Sequence, residues 1–233
     1  MAVDAKRTTT DRDRHLDRVE SFSDAVFAIA ATLLVIDLRP PSTDAAGYEV
    51  ALQAYLSRPG PFIAMAIGFL VVGSYWVSHR KIFALLRDVD GPVVWANLVF
   101  LFWVAIQPFF TAALAEHDPT ITSVVAYAVC QVLAGIAQLG VWGAVLHDRR
   151  LLVDAVTPRR MAYVTIQLIR APVAFAISIP VTVLGGATAG SLAWTLLIAF
   201  AIAINVVFRD LSPDRDRSVR PTLRSCRPRS PTT

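Results

Sequence analysis

Six stretches of mostly apolar residues recur along this chain of 233 residues, and nothing else in it limits the fold as strongly. They run over 19–38, 61–78, 92–114, 121–146, 161–184 and 188–208. A bilayer core is crossed by about 20 helical residues, or about 17 when the ends are anchored. Lipid offers no partner for backbone N–H and C=O groups, so such segments must satisfy their own polar groups as helices. The expectation is an all-α membrane protein with six transmembrane helices per chain. Tyr75 and Trp76 close the second segment with side chains suited to a membrane interface. Pro172 and Pro180 remove backbone donors from the fifth and are expected to bend it. Between the first two segments, 39–60 has room for a short amphipathic helix around 48–56.

Composition agrees: 55% of the residues are hydrophobic and only 17% charged, outside the range of ordinary soluble domains. The formal net charge of +4 does not argue for nucleic acid, because the basic residues lie between and beyond the apolar segments instead of forming a patch. Their placement sets orientation. Of 22 Lys and Arg, Arg39 and Arg58 fall on one side and Arg170 inside the fifth segment; the other nineteen all fall on the opposite side. These include Lys6, Arg7, Arg12, Arg14 and Arg18 before the first segment and Arg80, Lys81 and Arg87 between the second and third. Both termini are therefore expected in the cytoplasm of a multi-pass cell-membrane protein. The layout is an N-terminal arm over 1–17, a six-helix domain over 18–208, and a basic, Pro-rich tail over 209–233 that reads as disordered. The charged N-terminus has no secretory cleavage pattern. Cys130 lies in an apolar segment and Cys226 in the tail, so a disulfide framework is not expected.

The first segment carries the chemistry. Asp24 stands about one and a half turns into an otherwise apolar helix, and a carboxylate there is costly without partners. At about 100° per residue, Asp24, Ala28, Ala31 and Val35 share a stripe whose small residues suit close packing on a donor-bearing helix. The opposite stripe holds Phe22, Ala25, Ile29, Leu33 and Ile36, with Thr32 at its edge. Periodicity does not separate a lipid-facing stripe from a pore lining. Asp24 has two candidate sources of compensation, Arg18 or polar groups on the second and third segments.

Arg18, Phe22, Ser23 and Asp24 form an R-x-x-x-F-S-D pattern. Tyr75-Trp76-Val-Ser-His79-Arg80, Asn97-Leu-Val-Phe-Leu101 and Gln107-Pro108-Phe109 follow. Together these resemble the transmembrane protein 175 family of potassium channels, in its prokaryotic form with one six-helix unit per chain. The resemblance covers about the first half; the later segments agree in hydropathy and length. Arg80 departs from the second His that relatives often carry. The resemblance implies a homotetramer with the first helix of each copy lining a central pore. It implies an apolar constriction at Ile29, with Leu33 and Ile36 deeper, and ion selection assisted by Thr32. Arg18, Phe22, Ser23 and Asp24 with Trp76, His79 and Asn97 would form a structural network that holds the helix. Potassium is then the permeant ion and lipid the surrounding partner, with no cofactor and no metal site.

An Ile and Leu ring offers an ion nothing in place of water, so closing it dries the pore. When it is wider, the cation that sheds water more cheaply passes more easily, which favours potassium modestly. The expected function is a weakly to moderately selective leak. Thr182-Val-Leu-Gly-Gly186 is no carbonyl filter, because 185–189 is too short for a re-entrant loop. The alternative class is a secondary transporter using Asp24, Asp37 and Arg170. The four histidines, His15, His79, His117 and His147, show no metal-ligand spacing, and no enzyme site presents itself. His79 titrates near neutral pH when unperturbed, which makes it a candidate proton-sensitive member of the network.

Overall fold

The computed structural model describes the backbone of residues 2–36, 38, 44–115, 119–153 and 156–207, and side chains within these from residue 14 to residue 194 except at 45 and 46. The described residues form six α-helices: α1 Ala2–Ile36, α2 Ala45–Leu56, α3 Pro59–Phe83, α4 Gly91–Ala115, α5 Ile121–His147 and α6 Pro158–Val207, with one 3-10 turn at Arg149–Leu151. Five of them, α1, α3, α4, α5 and α6, are long and apolar enough to cross a membrane.

Local chemistry sets the helix starts. Asp44 accepts from the Gly47 N–H at 3.2 Å and begins α2 where the short helix was expected. Pro59 opens α3, a position where its missing N–H costs nothing. Thr120 and Ser123 cap α5 reciprocally. Arg80 and Lys81 lie in the last turn of α3, where positive charge complements the helix dipole. α1 differs from expectation: it starts at Ala2, not near residue 19, so the proposed boundary at 17 coincides with no break in the helix. Asp37, Arg39 and the tail over 209–233 lie outside the described residues.

α6 needs separate treatment, since a straight helix of 50 residues would extend about 75 Å, more than twice a bilayer core. Gly186 interrupts it with φ 85° and ψ 171°, a conformation open to glycine and costly for other residues. The chain reverses there. Trp194 Nε1 donates to Ser178 Oγ at 2.8 Å, although residues sixteen apart on a straight helix stand about 24 Å from each other. The rings of Phe175 and Trp194 are 5.9 Å apart for the same reason. Pro172 and Pro180 lie within the arm before the reversal.

α5 packs against α4 and α6. Gly135 lies so near Pro172 that a Cβ there would come within 2.7 Å of the proline ring. Trp142 Nε1 donates to Thr165 Oγ1 at 2.8 Å. α1 rests on α3 and α4. At one end of the bundle the α3–α4 connection pairs with the α5–α6 connection: Arg87 N–H donates to the Leu151 carbonyl at 2.9 Å and Val153 N–H to the Leu85 carbonyl at 3.0 Å. Leu85, Leu86, Leu151 and Leu152 are buried beneath that pairing.

Candidate functional site on the first helix

The two faces of α1 differ in kind. Ser23, Phe27, Ala30 and Leu34, spaced by four, three and four, form the buried face. This corrects the expected packing stripe. Asp24 and Ala31 flank the buried face, whereas Ala28 and Val35 are exposed. The acid's chemistry suggested a stripe centred one residue too far along; the bulk of Phe27 and Leu34 sets the true one.

A directed chain of hydrogen bonds crosses this face. His79 Nε2–H on α3 donates to Asn97 Oδ1 on α4 at 2.9 Å, and Asn97 Nδ2 donates to Ser23 Oγ on α1 at 3.0 Å. Ser23 donates in turn to the Val19 carbonyl at 2.8 Å. Asn97 oxygen accepts only, which fixes the His79 proton on Nε2. Its ring stacks on Phe83 at 4.2 Å and Phe100 at 5.9 Å, with Phe27 tilted against it at 5.6 Å. The imidazole thus lies in an aromatic enclosure beside α1, fully buried.

Asp24 is met from α3. Trp76 Nε1 donates to Asp24 Oδ1 at 2.8 Å, and the Arg80 guanidinium lies over the Trp76 ring at 5.2 Å. Of the two sources of compensation, the second helix of the membrane bundle is therefore the one used. Arg80, at the position where the family often has a second His, fits as a cation on an aromatic face. Arg18 is exposed and outside this chain of bonds. Phe22, grouped with the network by its motif, is 53% exposed and lies on the other side of α1.

On that other side Ile29 is 59% exposed, Leu33 38% and Ile36 63%, with Ala25 and Thr32 also exposed. Thr32 Oγ1 donates to the Ile29 carbonyl at 2.9 Å. The arrangement brings Ser23, Asp24, Trp76, His79 and Asn97 together and sets Phe22, Ile29, Thr32, Leu33 and Ile36 apart on an open apolar strip. Among the described residues Asp24 accepts from Trp76, while Arg170 bonds to Gln167 on its own helix.

Sequence reasoning passed over a second polar group. Gln107 Nε2 on α4 donates to Gln131 Oε1 on α5 at 3.0 Å; Tyr75 Oη donates to the Gln131 carbonyl at 2.8 Å; Gln138 Nε2 donates to the Tyr75 carbonyl at 3.2 Å. The signal was present, since Gln131 and Gln138 are two turns apart on one face of an apolar helix.

Residues 18–108 match the family described as endosomal/lysosomal potassium channel TMEM175. A potassium channel of Streptomyces collinus is 43% identical over 101 residues, which is 43% of this chain and 48% of that protein. A potassium channel of Chryseobacterium sp. is 33% identical over 120 residues, covering 52% and 59%. The endosomal/lysosomal proton channel TMEM175 of Mus musculus is 33% identical over 152 residues, covering 60% and 30%. The chain spans about half the length of the curated bacterial relatives it matches. Among solved structures, a lysosomal potassium-selective channel TMEM175 homolog from Chamaesiphon minutus superposes with a TM-score of 0.69 at 27% identity, over 82% of this chain and 99% of that one. A variant of the potassium channel MtTMEM175 shares the fold, with a TM-score of 0.58 at 19% identity over 84% and 93%. With helices able to cross a bilayer several times and Ser23, Asp24, Trp76, His79 and Asn97 all inside the matched region, this multi-pass membrane protein is similar, over residues 18–108, to the TMEM175 family.

Proposed function

We propose that four copies of this chain assemble with the open strip of α1 around a common axis and conduct potassium ions. The observation that carries the reading is the opposition of the two faces of α1. Phe22, Ile29, Leu33 and Ile36 are exposed, while the reverse face is tied to α3 and α4 by Ser23 and Asp24. A helix held from behind by directional bonds presents its free side at a fixed angle. The names of the bacterial relatives and of the Chamaesiphon structure support potassium as the ion.

In this reading Ile29 forms the constriction, with Leu33 and Ile36 beyond it. An apolar ring conducts when wide enough to stay wet and shuts by drying. Thr32 adds oxygen at one level, giving weak to moderate preference for potassium. The reversal at Gly186 supports a six-span reading, in which the second arm of α6 is the sixth span. An even number of spans would put both termini on one side, and the distribution of basic residues favours the cytoplasm.

The test is flux from liposomes holding the purified full chain, with potassium, sodium and protons followed in one preparation. Downhill, uncoupled potassium flux is expected, with sodium slower; coupled, saturable flux would replace the channel with a transporter. Ile29→Asn is expected to raise conductance by wetting the constriction. Unchanged single-channel currents would remove Ile29 from the pathway.

A further inference from the structure

Away from α1, four polar side chains meet between α4 and α5. The helices run past each other so that Gln107 faces Gln131 and, one turn further on each, Thr111 faces Tyr127. All four are buried, none more than 4% exposed. Thr111 Oγ1 is committed to the Gln107 carbonyl at 3.1 Å. The single bond between the two amides leaves Gln107 Oε1 and Gln131 Nε2 without a partner in the protein. Reversing both amides changes nothing, since the pair again leaves one acceptor and one donor. The Tyr127 hydroxyl is set beside Gln131 and Thr111, but neither contact reaches hydrogen-bond distance and angle, so it too is left over.

Three unpartnered polar atoms in one layer of an apolar bundle are too costly to stand alone. Their kinds select what fits. One is an acceptor, one a donor, and one a hydroxyl able to be either. We propose that Gln107 Oε1, Gln131 Nε2 and the Tyr127 hydroxyl hold one bound water molecule between α4 and α5. Water donates to the first, accepts from the second and bonds the third, which matches the roughly three bonds typical of buried waters. A potassium ion would face the Gln131 amide protons, and an anion the Gln107 oxygen. The site is therefore distinct from the conduction path proposed for α1. It lies where three helices join, because Tyr75 of α3 donates to the Gln131 carbonyl.

Radiolytic hydroxyl-radical footprinting of the full chain tests this, since bound water is activated in place and labels buried neighbours. Tyr127 is expected to be labelled to an extent comparable with exposed Tyr48, despite its burial. Labelling should fall to the background of buried Trp142 in the Gln107→Leu/Gln131→Leu double variant, which removes donor and acceptor together. Wild-type Tyr127 at that background would overturn the proposal. A high-resolution density map of the wild-type protein gives a second readout that needs no variant. A solvent peak at hydrogen-bond distance from all three atoms supports the site; no peak, or a thallium signal there after soaking, overturns it.

Discussion

α1 and α5 are both long apolar helices, yet they dispose of their surface in opposite ways. Half of the apolar window of α5 is buried within the subunit, against 22% for α1. α5 is enclosed by its neighbours, with Tyr127 and Trp142 meeting α6 and Gln138 meeting α3. α1 uses a narrow face and leaves the rest open. Exposed apolar surface is ordinary in a membrane, where lipid is as apolar as leucine. What distinguishes α1 is an open strip backed by polar bonds that fix its direction. Packing density marks the scaffold, and polar anchoring behind an unused face is the feature on which the proposed pore-lining role of α1 rests.

Substitutions on the two helices should therefore separate stability from conduction. Trp142→Ala removes a fully buried ring and its bond to Thr165, and is expected to cost about 3–5 kcal/mol. Thermal unfolding of purified protein measures it. Asn97→Leu strands the His79 N–H in an apolar layer and takes from Ser23 its donor, at about 1–3 kcal/mol, and should also alter single-channel currents because α1 loses its tie to α4. Trp76→Phe removes one donor from Asp24; hydrogen bonds between membrane helices average about 0.6 kcal/mol, so the expected loss is smaller. Thr32→Val should leave the unfolding temperature within error and reduce the preference for potassium over sodium in the flux assay. Equal destabilisation by Trp142→Ala and Ile29→Ala would erase the distinction between the two helices.

Much of this was legible in the sequence, for physical reasons that differ by element. Spans announce themselves because every residue in lipid must be apolar or paired. The gap between 184 and 188 located the reversal at Gly186, although nothing in the residues specified its geometry. The start of α1 was not legible, because charged residues over 2–18 carry no hydropathy signal yet continue the helix. On α1 the open strip followed from the 3.6-residue period. The buried stripe came out one residue off, since Asp24 drew attention that Phe27 deserved. The Gln107 and Gln131 pair escaped because uncharged amides barely disturb hydropathy, while their partners are 24 residues apart and meet only through tertiary packing.

The Thr32 side chain has one proton, and that proton points back along its own helix to the Ile29 carbonyl. Toward the open side the oxygen thus presents lone pairs alone, a Lewis base with no acid of its own. A serine in its place would keep the oxygen but be freer to rotate, and a valine would keep the shape without the basicity. In the pore proposed above, that one intrahelical bond would favour cations over anions at the outer edge of α1.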